Sequence, residues 1–320
     1  MPDRFSWRLR RFLHAVSDTT AVRFFRLSRT PAKDLLSLQD IVLDDSAVAL
    51  HIPYFASVAT GIPALVFQTW KSRSDIPVNY RYWRQTFVDL NPEAVVVLWD
   101  DDDNRRFIAE RYPWFLAVYD SYPREIFRAD AVRFFFLFEF GGLYADMDSE
   151  CLRPLRLSMR TNDILLGWMG TNKAFEHALP NAIMASRPRQ LFWLLAILKM
   201  IEVARENPDA AKRNALGPEE MTGPILLKRT YHEFASLSEE AAWHRVGPVL
   251  DLLDPARRSS VNYGQVTTLG RRIWYPLDWT NFIHKKLRNR LRGDRLFLSP
   301  AQARELFPEA EIVTYWSHSW

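Results

Sequence analysis

The sequence predicts an α/β fold, and three observations carry that prediction. From Ile62 onward, short apolar runs alternate with segments of helical period, the pattern of a sheet covered by helices. Residues 128–148 read as a helix, a Gly141-Gly142 turn and a strand in direct succession. The chain's 320 residues, 48% hydrophobic and 14% aromatic, are enough to bury a large core.

In chain order, residues 1–58 read as a partly helical N-terminal extension without a chemical signature, and residues 59–320 as the main domain. Leu65-Val66-Phe67 and the run 94–99 are apolar and β-prone, hence buried strands. Between them, residues 79–90 form a helix that turns Tyr82, Trp83 and Phe87 inward. Asp100 to Asp103 follow a strand end and precede a helical stretch, so their carboxylates read as N-capping groups. The stretch from Arg128 reads as an amphipathic helix on which Asp130 and Arg133, three apart, share a face. The strand after the glycine turn ends in Asp146 and Asp148. In extended backbone these two, separated by Met147, point to the same side. Farther on, 164–168 reads as a strand and 191–203 as a long apolar helix capped by Ser186-Arg187-Pro188. Residues 211–232 run from loop into helix around Thr222-Gly223-Pro224.

The two carboxylates at 146 and 148 carry the chemistry. Paired hard oxygen donors suit Mg²⁺ or Mn²⁺, which keep open positions for phosphate oxygens and so can hold a nucleotide diphosphate. A bare Asp-x-Asp is a weak signal, since Asp100 to Asp103 contains two more copies. The upstream Asp130/Arg133 pair, the paired glycines and the apolar strand set 146/148 apart. A phosphohydrolase using Asp146 as nucleophile fits poorly, because Glu150 stands where that chemistry wants Thr or Val.

Composition narrows the remaining classes. One cysteine, Cys151, excludes an intrachain disulfide and reads as small apolar filler. No run of about 18 apolar residues is present, and the N-terminus lacks the apolar core of a signal peptide, so a cytoplasmic setting is expected. The net charge of +4 is concentrated in clusters at 4–13 and 284–292. There, basic and aromatic residues lie near one another, as in peripheral contacts with the inner face of a membrane. Nucleic acid is a poorer partner: the excess is small and no recognition motif accompanies it.

From Gly61 to about Leu155 the chain resembles glycosyltransferase family 32, which includes yeast Och1-type mannosyltransferases and the inositol-phosphoceramide mannosyltransferases. The resemblance rests on Ile62-Pro63 through Gln68-Thr69-Trp70-Lys71, Asn91-Pro92, Leu98-Trp99-Asp100-Asp101, Tyr112-Pro113-Trp114-Phe115, Tyr122-Pro123, Arg128-Ala129-Asp130-Ala131, and Gly141 to Asp148. Met184-Ala185-Ser186 with Pro188, and Thr222-Gly223-Pro224, are similar to the inositol-phosphoceramide branch. The resemblance implies a GT-A type domain, a Rossmann-like sheet with helical additions that binds a nucleotide sugar at its carboxyl edge. It implies that Asp130 grips the donor sugar, that Arg133 bridges sugar and diphosphate, and that Asp146 and Asp148 hold Mn²⁺ or Mg²⁺. It further implies donor-binding roles for Gln68, Thr69, Trp70, Arg128 and Gly142. A C-terminal segment closing the site would bring His318 as a third metal ligand and Trp320 as lid. The implied reaction is metal-dependent, retaining transfer of a hexose, mannose favoured, from GDP-mannose or a UDP-hexose to a glycolipid or polysaccharide acceptor. An effector that glycosylates proteins, and a non-catalytic sugar-nucleotide or membrane-binding module, are the alternatives. His177, His232, His244 and His284 lack ligand spacing and read as surface or core histidines.

Overall fold

In the computed structural model, residues 61–157, 160–278, 280–293 and 298–317 are described. The expected extension 1–58, the first basic cluster, His318 and Trp320 all lie outside them. The chain enters through β1 (Leu65–Thr69), whose five residues are all buried. Helix α1 (Val78–Leu90) follows, then β2 (Val95–Trp99). In α1, Tyr80, Trp83 and Phe87 are buried, and Tyr82 packs half-buried against the same core. Helix α2 (Asp101–Arg111) starts at Asp100, whose carboxylate accepts from the Asp103 backbone N–H while Asp103 reaches back to Asp100. This capping box is the role expected of those acids.

Helix α3 (Pro113–Asp120) leads to α4 (Glu125–Glu139), the central helix. The expected amphipathic pattern does not hold here: every residue from Ala129 to Glu139 is buried. The reason is tertiary, since α4 lies between the sheet and helices α2 and α3, and later elements cover its remaining faces. Gly141 and Gly142 then turn the chain into β3 (Gly142–Ala145) with φ of +67° and +85°. A Cβ on Gly142 would stand 2.5 Å from the Leu65 carbonyl oxygen, and one on Gly141 2.7 Å from that of Ser186. The paired glycines therefore let β3 insert tightly between its two neighbours.

The remaining elements are β4 (Ser149–Cys151), β5 (Ile164–Gly167) and β6 (Ile183–Ser186), then α5 (Leu191–Glu206), α6 (Ala210–Leu216), α7 (Pro218–Met221) and α8 (Pro224–Ser236). They are followed by α9 (Glu239–Leu250), α10 (Pro255–Ser259), β7 (Val266–Leu269), α11 (Arg271–Trp274), α12 (Phe282–Gly293), α13 (Pro300–Leu306) and β8 (Ile312–Thr314). Ser186 does not cap α5: its hydroxyl accepts the Trp193 indole N–H at 2.9 Å, and Gln190 is the cap residue. The segment 210–221 is helical from its start rather than a loop, broken only at Gly217, where φ is +86°.

Six strands form one sheet in the order β2-β1-β3-β6-β5-β7. β1 pairs in parallel with β2 and β3, and β6 runs antiparallel to both β3 and β5. Alternate residues serve two cores. Phe67, Tyr144 and Met184 join α4 and α5 on one face, while Val66, Leu143 and Ala185 join α1, α11 and α13 on the other. Strands β4 and β8 form a separate antiparallel pair, which ties the C-terminal segment to the residues just after Asp148. Cys151 is buried, and burial pushes its thiol up to about 12, in keeping with a filler role.

Candidate active site

The site is built where β3 ends. Asp146 and Asp148 do not continue the strand; they occupy the turn between β3 and β4, closed by the Ser149 N–H donating to the Asp146 carbonyl at 3.0 Å. Met147 between them is buried, so the turn keeps the alternation expected of a strand, and both carboxylates stand in the wall of one pocket of about 240 Å³.

Arg133 organises the inner half of this pocket. It is 1% exposed, and its guanidinium pairs with Asp130 at 2.7 Å and Asp146 at 3.2 Å. It also donates to the Asn181 carbonyl at 2.8 Å and lies over the Tyr144 ring, 4.4 Å from the centroid. The Tyr144 hydroxyl donates to Asp146 Oδ1 at 2.8 Å, so this residue serves the site as well as the core. Burial lifts Asp146 to about 7, against the pull of Arg133. It lifts Asp130 to about 6 against Arg133 and the Asn181 amide, whose N–H donates at 3.1 Å. Burial alone would lower Arg133, but Asp146, Tyr144 and Asp130 outweigh it and keep the guanidinium charged.

Asp148 is held from the other side. Its Oδ1 accepts from the Thr314 hydroxyl at 3.1 Å, and its Oδ2 from the Ser317 N–H at 2.6 Å and hydroxyl at 2.9 Å. The C-terminal strand thus reaches the acidic turn directly. Trp316, at φ +52°, donates its indole N–H to the Leu277 carbonyl at 2.9 Å, stacks on Tyr275, and lines the pocket.

Other sequence-named residues lie outside the pocket wall. Gln68 is fully buried at the end of β1, and its amide atoms have no hydrogen-bond partner among the described residues. Thr69 accepts from the Asn104 amide at 2.6 Å. Trp70 is buried against Tyr80 and donates to the Asp75 carbonyl at 2.7 Å. Arg128 pairs with Glu125 at 2.5 Å, and Gly142 faces β1.

Sequence reasoning gave no site role to Arg124, Asn181, Glu219, Trp316 or Ser317, and set His177 aside; all but Ser317 line the pocket. One signal was available. A Cβ on Gly223 would stand 3.1 Å from Asp130 Oδ2, so the Thr222-Gly223-Pro224 motif marks the segment that must close on that carboxylate.

Comparison with known proteins agrees with this geometry. Residues 77–166 match the family model described as the glycosyltransferase sugar-binding region containing the DXD motif, and that span includes Asp130, Arg133 and both turn carboxylates. Over that span the chain is similar to the DXD-motif glycosyltransferases. Among curated relatives of this group, inositol phosphoceramide mannosyltransferase 3 of Schizosaccharomyces pombe is 31% identical over 217 residues, 67% of this chain and 54% of that protein. Mannosyl phosphorylinositol ceramide synthase CSH1 of Saccharomyces cerevisiae is 31% identical over 188 residues, 59% of this chain and 47% of its own length. The related synthase SUR1 of the same yeast is 39% identical over 137 residues, 42% of this chain and 34% of its own length. The chain spans about half or less of the length of these relatives. The DXD motif implies a divalent metal, and its mixed α/β sheet is that of a GT-A-like fold.

Proposed function

We propose that the protein is a metal-dependent, retaining hexosyltransferase, mannose favoured, that moves sugar from a nucleotide-diphosphate donor to a glycolipid acceptor. The observation that carries this reading is the gathering of Asp130, Arg133, Asp146 and Asp148 in one pocket beyond the end of β3. The similar yeast proteins are inositol phosphoceramide mannosyltransferases and mannosyl phosphorylinositol ceramide synthases, which favours mannose and a glycolipid acceptor.

The donor set fits a hard divalent ion. Asp146 and Asp148 would hold it, and among the described residues no group of three or more His, Cys, Asp or Glu gathers as a closed cage. Mg²⁺ and Mn²⁺ are commonly held that way, through one or two carboxylates plus substrate phosphates. When bound, such an ion supplies positive charge against the departing diphosphate. Arg133 adds a second positive charge at fixed distance and needs no reorganisation, because its partners already hold it. Asp130 turns Oδ1 to Arg133 and Asn181, which leaves Oδ2 beside Gly223 to accept a sugar hydroxyl. Tied in this way, Asp130 positions the sugar and does not attack it, so the acceptor hydroxyl approaches from the face the diphosphate leaves. Trp316 walls the pocket and limits water at the reacting carbon.

The test is thermal stabilisation by a panel of GDP- and UDP-hexoses with and without Mn²⁺. A donor at a hundred times its dissociation constant adds roughly 2.7 kcal/mol. A metal-dependent shift with GDP-mannose is expected; no shift with any donor would remove the reading.

We also place the protein at the cytoplasmic face of a membrane, in peripheral contact. Among the described residues no helix is long and apolar enough to cross a bilayer. Helix α12 exposes Phe282 (61%), Lys285 and Lys286 along one side, a basic and aromatic surface suited to anionic head groups. Co-sedimentation with vesicles of mixed phosphatidylglycerol and phosphatidylcholine should fall in a Lys285→Glu, Lys286→Glu double variant. Equal binding to pure phosphatidylcholine vesicles would defeat the assignment.

A further inference from the structure

We infer that Arg124 binds an anionic group of the acceptor, so that the pocket selects phosphorylated acceptors over neutral ones. The inference rests on the transferase reading and names the residue that would read acceptor charge.

Helix α4 acts as a ruler across the pocket. Arg133, Asp130 and Ile126 lie at successive intervals of three and four residues, so they form one stripe, and all three line the cavity. Arg133 touches Asp146 at the metal-binding end. Asp130 lies one helical turn outward, at the level of a sugar held by its hydroxyls. Ile126 lies a further turn out, and Arg124 stands at the helix cap, about 9 Å along the axis beyond Asp130. The donor diphosphate belongs at the Arg133 end, so Arg124 stands on the opposite side of the sugar, where the acceptor enters.

The charge pattern separates the two arginines. The Arg133 guanidinium is matched by Asp130 and Asp146 and is buried. Arg124 also lines the pocket, yet it is exposed, and among the described residues no carboxylate lies within ion-pair distance of it. Its guanidinium sits 5.2 Å from the centroid of Phe127, a fully buried ring that gives it a fixed platform. A planar, permanently charged fork held in this way is suited to a phosphodiester. Ile126, Pro218 and Pro224 give the same cavity apolar wall, so the bound group need not be sugar throughout.

The experiment uses the full chain with GDP-mannose and Mn²⁺, and two acceptor probes that share one polyol: glycerophosphoinositol and free inositol. In Arg124→Gln, KM for glycerophosphoinositol is expected to rise roughly ten- to hundredfold, the worth of one charged hydrogen bond. KM for inositol should stay as in the wild type, and Arg124→Lys should recover part of the loss. Calorimetric donor affinity should be the same in wild type and variant. A weaker donor affinity in Arg124→Gln would reassign the residue to the diphosphate, and equal KM values for the two probes in the wild type would show that no charge is read. Either result overturns the inference while leaving sugar transfer intact. Absence of metal-dependent donor binding by the wild type would instead remove the transferase reading, and this inference with it.

Discussion

Asp148→Asn should lower sugar transfer by at least about a thousandfold while the protein stays folded. A metal acting as Lewis acid on a leaving phosphate contributes several kcal/mol to the transition state, and each 1.4 kcal/mol is a factor of ten. Asparagine keeps the shape of the side chain but supplies a weak neutral donor in place of a carboxylate. Stability should change little, because two effects oppose. The amide still accepts through one oxygen but cannot take all the donors now aimed at the carboxylate, the Ser317 N–H and hydroxyl and the Thr314 hydroxyl, at a cost of about 1 kcal/mol. Against that, removing the charge relieves its repulsion of Asp146. Single-turnover kinetics at saturating donor, with melting temperature measured alongside, check both halves. A variant with wild-type turnover would remove the DXD turn from the mechanism.

Arg133→Met should have the largest effect on stability, a loss of about 3–5 kcal/mol, because it leaves the buried Asp130 and the half-buried Asp146 without their counter-charge. Methionine fills much of the volume, so the loss would report charge rather than a cavity. The pH dependence distinguishes the two. In the wild type, burial raises Asp130 from 3.8 to about 6, so the folded protein binds that proton more tightly than the unfolded chain does. Stability from this group is complete below the unfolded value and is lost as pH rises through the folded one. Removing Arg133, which pulls Asp130 down, extends that loss to higher pH. The deficit of the variant should therefore be smaller at pH 5 than at pH 8 in urea melts of metal-free protein. A deficit independent of pH across that range would mean that packing, not charge, is what Arg133 supplies.

Much of this site was legible because its signals are local. Asp130 and Arg133 sit three apart on one helix, the glycine pair announces a turn no other residue fits, and the two aspartates lie two apart just beyond it. The α/β class followed from strands and helices whose periods are read over a few residues, and the capping role of Asp100 from its place before a helix. What failed was what depends on the neighbours of an element. The face of α4 was misjudged because its outer side is covered by α2, α3, α5 and α7, contacts that no helical period reports.

The sequence by itself determined the fold class and the pairing of Asp130 with Arg133 and of Asp146 with Asp148 as neighbours, since those rest on residue type and short spacing. Only the tertiary structure decided which distant residues complete the site: Asn181 on Asp130, Ser317 on Asp148, and Arg124, His177, Glu219 and Trp316 in the walls. These meet through the pairing of β8 with β4 and the closing of 218–224 over α4. Such long-range contacts are set by how the whole chain buries its apolar surface, a property of the packed molecule that no window of sequence contains.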